Sequence, residues 1–206
     1  VLVSARVETL VGNQPKQIWL THRHFEVAGA AHYLSETWGA TIHAHHSAES
    51  SLSIGERLTT NARSFDSEMP IAEIETCSDG DQFTIGSCEF TVLHLPGHTN
   101  CGIGLYIPAR NLLVSGGAVP SGDRLARWDM PTGSLDQLIT SLNLIKDLNL
   151  AILVPNMGES IQGEDVESIL NSQIELLEGA KHGHGKRPDG WPAPAATCSY
   201  LTPPTV

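Results

Sequence analysis

The sequence predicts a single α/β domain, with sheet layers covered by helices. Two observations carry that prediction. Short runs rich in β-branched and aromatic residues alternate with stretches whose apolar residues recur at helical spacing. The chain has 206 residues, 40% of them apolar and 17% charged, which suits one well-buried core.

In chain order, "VLVSAR" (1–6) reads as the interior of a strand, so the N-terminal strands of the fold are expected to be incomplete. "QIWL" (17–20) and "ATIHA" (40–44) are strands, and between them Val27, Ala30, Ala31, Leu34 and Trp38 form an amphipathic helix that Gly39 ends. "EFTVLHL" (89–95), "IGLYI" (103–107), "LLVS" (112–115) and "AILVP" (151–155) are further strands. Ser134 with Gln137 makes a capping-box pattern ahead of Leu135, Leu138, Ile139, Leu142 and Ile145 on one helix face. A third helix spans about Glu164 to Gly179, with Val166, Ile169, Leu170, Ile174 and Leu177 inward. The division is a domain over 1–182 and a tail over 183–206, Pro-rich, without period and expected to pack loosely or not at all.

Charge and cysteines narrow the setting. A formal net charge of −11 repels phosphate backbones and anionic membranes, so neither nucleic acid nor a membrane is an expected partner. No apolar run approaches the roughly 20 residues that span a bilayer. Cys77, Cys88, Cys101 and Cys198 lack a C-x-x-C pairing and read as free thiols, which with no visible signal peptide points to the cytoplasm. The expected partner is a small molecule; oligomeric state is not legible.

The chemistry lies in histidines. His22 and His24 sit two apart just after "QIWL", and in extended chain residues i and i+2 face the same way. His98 follows another strand, where Pro96 and Gly97 turn the chain. Three imidazoles with one open position make a Zn²⁺ site able to activate water near neutral pH. The other seven of the ten histidines read as structural or solvated. In "HAHH" (43–46), strand alternation would place His45 and His46 on opposite faces.

The stretches "IWLTHRHFEVAGAAHYLSETWGATIHAH", "FTVLHLPGHTNCGIGLYIPARNLLVSGGAV" and "AILVPNMGESI" resemble the metallo-β-lactamase superfamily, particularly its glyoxalase II-like and lactonase-like hydrolases. The resemblance implies a four-layer αββα sandwich with a metal site at one edge between the sheets. It places first-metal ligands at His22, His24 and His98. At the second-metal positions it meets Glu26, Val27, Gly117 and Met157 in place of aspartate, histidine, bridging aspartate and histidine. A structural aspartate that ends the opening strand is matched by Ser4.

Val27 and Gly117 offer no donor. Met157 offers a thioether better suited to copper(I) and reads rather as a gap-filler in an apolar pocket. Glu26 keeps a carboxylate and is the candidate general base, or else an acidic residue favoured by a helix N-terminus. Cys101 reads as a small core residue or a substitute sulfur ligand, Asp123 as a rescue carboxylate, and Trp128 as a pocket, interface or packing residue. Two functions follow. One is a hydrolase with a single zinc on His22, His24 and His98, cleaving an ester, thioester or lactone. The other is a metal-poor pseudoenzyme that binds a ligand or partner without turnover. A nucleic-acid-processing role fails on acidity, length and the missing aspartates.

Overall fold

The structure, a computed structural model, describes residues 2–189 and 191. The chain opens with α1 (Leu2–Val11), then β1 (Gln17–Trp19), α2 (Phe25–Ala28), α3 (Ala31–Trp38), β2 (Thr41–His45), α4 (Glu49–Leu52) and β3 (Glu75–Cys77). It continues with β4 (Gln82–Ile85), β5 (Cys88–His94), β6 (Ile103–Ile107), β7 (Leu112–Gly116), α5 (Leu135–Asp147), β8 (Ile152–Pro155), β9 (Ile161–Gln162) and α6 (Glu164–His182).

The strands form two sheets. β1, β2 and β3 pair in that order and all parallel. β4 to β9 pair in chain order, antiparallel except at β7–β8, which α5 connects as a crossover. Three apolar clusters show the layering. Leu95, Leu113 and Leu153 of the large-sheet side meet Leu138 and Leu142 of α5 and Leu170 and Leu177 of α6. Ile42 and Ala44 of the small sheet meet Ala28, Ala31 and Leu52. Between the sheets lie Trp19, Cys77, Phe83, Phe90, Val92 and Ile103. The order is helix, sheet, sheet, helix, the sandwich the sequence implied.

The opening segment differs from expectation. "VLVSAR" belongs to a helix, and Ser4 lies buried within it rather than at a strand end. Four apolar residues in a six-residue run are too few to distinguish the two periods. No glycine or proline interrupts 2–11, and Glu8 Oε1 accepts from Trp38 Nε1 (2.7 Å), docking α1 on α3. The helix expected over 27–38 starts earlier and breaks around Gly29, while Gly39 closes α3 in the left-handed conformation at φ +59. β3, β4 and β9 went unseen in the sequence because they are short and largely exposed, with no clean apolar alternation.

Ser134 caps α5, its Oγ accepting from Gln137 N–H at 3.4 Å. Ser134→Ala is expected to cost about 1 kcal/mol, read as a lower urea midpoint with an unchanged slope. Among the described residues no helix is long and apolar enough to cross a membrane. Cys77, Cys88 and Cys101 are free thiols, and Cys198 lies outside the described residues.

Candidate metal centre

β1 ends at Trp19 and feeds a loop that carries His22 and His24. His24 is extended (φ −60, ψ 147) and begins α2, whose Phe25 N–H donates to Thr60 O (2.7 Å). The third histidine arrives from the other sheet. After β5 the chain turns at Gly97, φ +132, where a Cβ would stand 2.3 Å from the Leu138 backbone. Only glycine fits there. Ser134 N–H donates to Gly97 O (2.8 Å) and Ser141 Oγ–H to Pro96 O (2.7 Å), so α5 holds the turn that presents His98.

The three imidazoles converge. Ring centroids lie 4.9 Å apart for His22–His24, 4.9 Å for His22–His98 and 4.7 Å for His24–His98, with interplanar angles of 82°, 80° and 89°. One donor atom from each of His22, His24, Glu26 and His98 falls within 4.8 Å of the others. His98 Nδ1–H donates to Arg127 O (2.7 Å), so its Nε2 carries the lone pair, 3.0 Å from His24 Nδ1. His22 Nδ1 lies 3.2 Å from Thr21 Oγ1, and His22 Nε2 is buried with no partner among the described residues.

Burial sets the charge state. Desolvation first, then the neighbouring His98 and Arg23, which disfavour a further positive charge, hold His22 and His24 well below the usual imidazole range. His98 is lowered by burial too, against the Arg127 carbonyl, which raises it. Neutral imidazoles, two of them with a buried Nε2 that has no hydrogen-bond partner among the described residues, are a donor set that fits zinc. Glu26 keeps 42% of its side chain exposed, with Oε1 3.7 Å from His24 Nδ1. Partial burial raises its carboxyl above the ordinary value, opposed by a hydrogen bond to its own backbone.

Of the four second-metal positions, Glu26 joins the cluster, whereas Val27, Gly117 and Met157 bring no donor to it. Val27 is half-buried in the small-sheet core cluster. A Cβ on Gly117 would lie 2.7 Å from His98 Cδ2 and 3.2 Å from His22, so the histidines crowd the room a side chain would need. Met157 is 52% exposed and does not fill an apolar pocket. Its N–H donates to Pro120 O (2.8 Å), in a turn that leaves the side chain in solvent. Asp123 accepts from Ser121 Oγ (2.7 Å) and stands outside the cluster. Trp128 is a packing residue, 2% exposed.

Sequence reasoning missed Arg23. Buried between the two histidines, it donates from Nε to Cys101 Sγ (3.1 Å), from Nη1 to Ser51 Oγ (2.9 Å), and from Nη2 to Ser47 O (2.6 Å) and Asn100 Oδ1. Cys101 is thus a core residue bound to Arg23 and lies outside the donor cluster. The only signal was a long cation inside a motif whose neighbours must be buried. His45 and His46 also depart from expectation. His46 leaves the strand in a 3₁₀ turn, so its ring lies 4.0 Å from His45, and His94 stacks on His45 at 4.2 Å.

The sequence model of the metallo-beta-lactamase superfamily matches residues 9–157. A hydroxyacylglutathione hydrolase, GloC, of Haemophilus influenzae is 30% identical over 66% of this chain and 64% of its own length. A probable metallo-hydrolase, YqgX, of Bacillus subtilis is 26% identical over 64% of this chain and 62% of its own. The chain thus spans less than two thirds of the length of these relatives. Among solved structures, the BLEG-1 B3 metallo-beta-lactamase superposes with a TM-score of 0.72 at 22% identity, covering 85% of this chain and 83% of that one. TTHA1623, solved in a di-iron-bound form, gives 0.63 at 25% identity over 77% of each chain. With the sandwich fold and the three-histidine cluster in place, the chain belongs to the metallo-β-lactamase superfamily.

Proposed function

We propose that this protein is a hydrolase of an ester, thioester or lactone that works with a single zinc ion held by His22, His24 and His98. The observation that carries the reading is the convergence of three nearly perpendicular imidazoles, His22 and His24 buried and His98 half-buried, with exposed Glu26 in the same donor cluster. When bound, zinc supplies Lewis acidity and activates water near neutral pH. The protein's own groups do the rest. His22 and His24 stay neutral because they are desolvated. Arg127 O fixes the His98 tautomer. Glu26 accepts a proton at Oε1 and returns it to the leaving group, within reach of solvent. The bare Gly117 and solvent-facing Met157 favour one ion over two. A relative named as a hydroxyacylglutathione hydrolase makes thioesters the first substrates to try.

The test is metal analysis of the full chain, followed by assay of a thioester and lactone panel. One equivalent of zinc is expected, lost in His22→Ala. Glu26→Gln should retain zinc and lower kcat about 100-fold. Protein that takes up no zinc at neutral pH would refute the metal reading; protein that takes it up but turns over none of the panel would be a binding domain.

A further inference from the structure

His98 depends on a carbonyl that no strand or helix holds. Its Nδ1–H donates to Arg127 O, in an irregular stretch between residues 125 and 134. Two sets of side-chain contacts bear on Arg127 within that stretch. Arg127 grips Asp129 in a bidentate pair, Nε to Oδ1 at 2.9 Å and Nη2 to Oδ2 at 2.7 Å. The second set comes from beyond α6. Arg187 Nη1 reaches Asp129 Oδ2 (3.4 Å), Trp191 packs on Trp128 with centroids 4.9 Å apart, and the Arg127 guanidinium lies 5.3 Å from the Trp191 ring centre. Arg187 and Trp191, beyond the end of α6, are seated against the loop that serves the metal centre.

We propose that Arg187 and Trp191 are positioning residues: they strap the Arg127–Asp129 pair in place and thereby hold the Arg127 carbonyl on His98. Neither residue belongs to the donor cluster. The inference rests on the single-metal reading for its consequence, and on the His98–Arg127 hydrogen bond for its mechanism. A neutral imidazole whose Nδ1–H has lost its acceptor is free to rotate or change tautomer, and Nε2 is then not reliably presented. The Trp191–Arg127 contact places a cation over an aromatic ring, and the Arg187–Asp129 pair is largely desolvated on the aspartate side, at 9% exposure.

The experiment compares the full chain with Trp191→Ala, Arg187→Ala and the double variant, alongside Trp191→Phe as the conservative rescue. Phe83→Leu, in the cluster between the sheets, serves as a destabilised control away from the strap. Zinc affinity is read by competition with a chromophoric chelator. The double variant is expected to bind zinc about 10- to 100-fold more weakly, with Trp191→Phe near wild type and Phe83→Leu unchanged. In metal-free protein, the His98 ring nitrogens are read by ¹⁵N NMR, where wild type should show one tautomer protonated at Nδ1 and the double variant a mixture. Wild-type zinc affinity and an unmixed His98 tautomer in the double variant overturn the strap. If wild type takes up no zinc, the single-metal reading fails alone, and the NMR comparison still decides the strap.

Discussion

Replacing Arg23 with alanine is expected to lower the unfolding free energy by about 4 kcal/mol, the sum of stranded acceptors and a cavity. Arg23 is 3% exposed, and its guanidinium serves Cys101, Ser51, Ser47 and Asn100, none of them a carboxylate. Those partners come from three parts of the chain: the turn after β2, α4, and the loop after His98. Removing the guanidinium leaves a cavity beside buried Ser51 and Cys101, takes the cation from the half-buried Ser47 carbonyl and the exposed Asn100, and unlinks the two loops that bring His22, His24 and His98 together. Arg23→Lys should recover only part of the loss, because one ammonium on a flexible stem cannot reach acceptors spread around a planar fork. Urea unfolding of both variants measures this. A loss below about 1 kcal/mol in Arg23→Ala would mean that water replaces the guanidinium and that the cation is not the tie between the loops.

Arg23 also shows where sequence reading stops. The strands that cross the sandwich centre were legible because Ile42, Val92, Ile103 and Leu153 sit in runs with one clear period. His22 and His24 were legible because two-residue spacing after a strand has one geometric meaning. His98 was legible through the Pro96–Gly97 turn, although the clash of any Cβ at Gly97 with the Leu138 backbone is visible only in three dimensions. Arg127, Asp129, Arg187 and Trp191 carry no local pattern, since their meaning lies in contacts distant in chain, 29 residues between His98 and Arg127 and 58 between Asp129 and Arg187. Met157 misled for a related reason. Its chemistry suggested a filled pocket, whereas a backbone hydrogen bond to Pro120 decides that it faces solvent.

Stability of the metal-free protein is expected to fall steeply as pH drops from about 6.5 toward 4. His45 is the group for which the window is clearest. Burial, then the neighbouring His94, His46 and Arg23, lowers it to about 4, with Asp79 pulling the other way. Its unfolded value is close to 6.5. Between those limits the unfolded chain binds a proton that the folded chain refuses, so stability rises with pH through the window and is lost as pH falls through it. The gap from 6.5 to about 4 is worth at most about 3 kcal/mol by linkage. His22, His24, His98 and His43 are shifted the same way, so their contributions add to that of His45 rather than cancel it. Urea midpoints of chelator-treated protein at pH 8, 7, 6 and 5 should therefore decline with a slope of more than one proton. His45→Gln should flatten the curve without moving its upper plateau by as much, because the amide cannot charge against Arg23 and the stacked His94 ring. A midpoint that stays level between pH 7 and 5 would show that the folded protein accepts these protons as readily as the unfolded chain. The imidazoles would then not be the dry, neutral donors on which the metal centre depends.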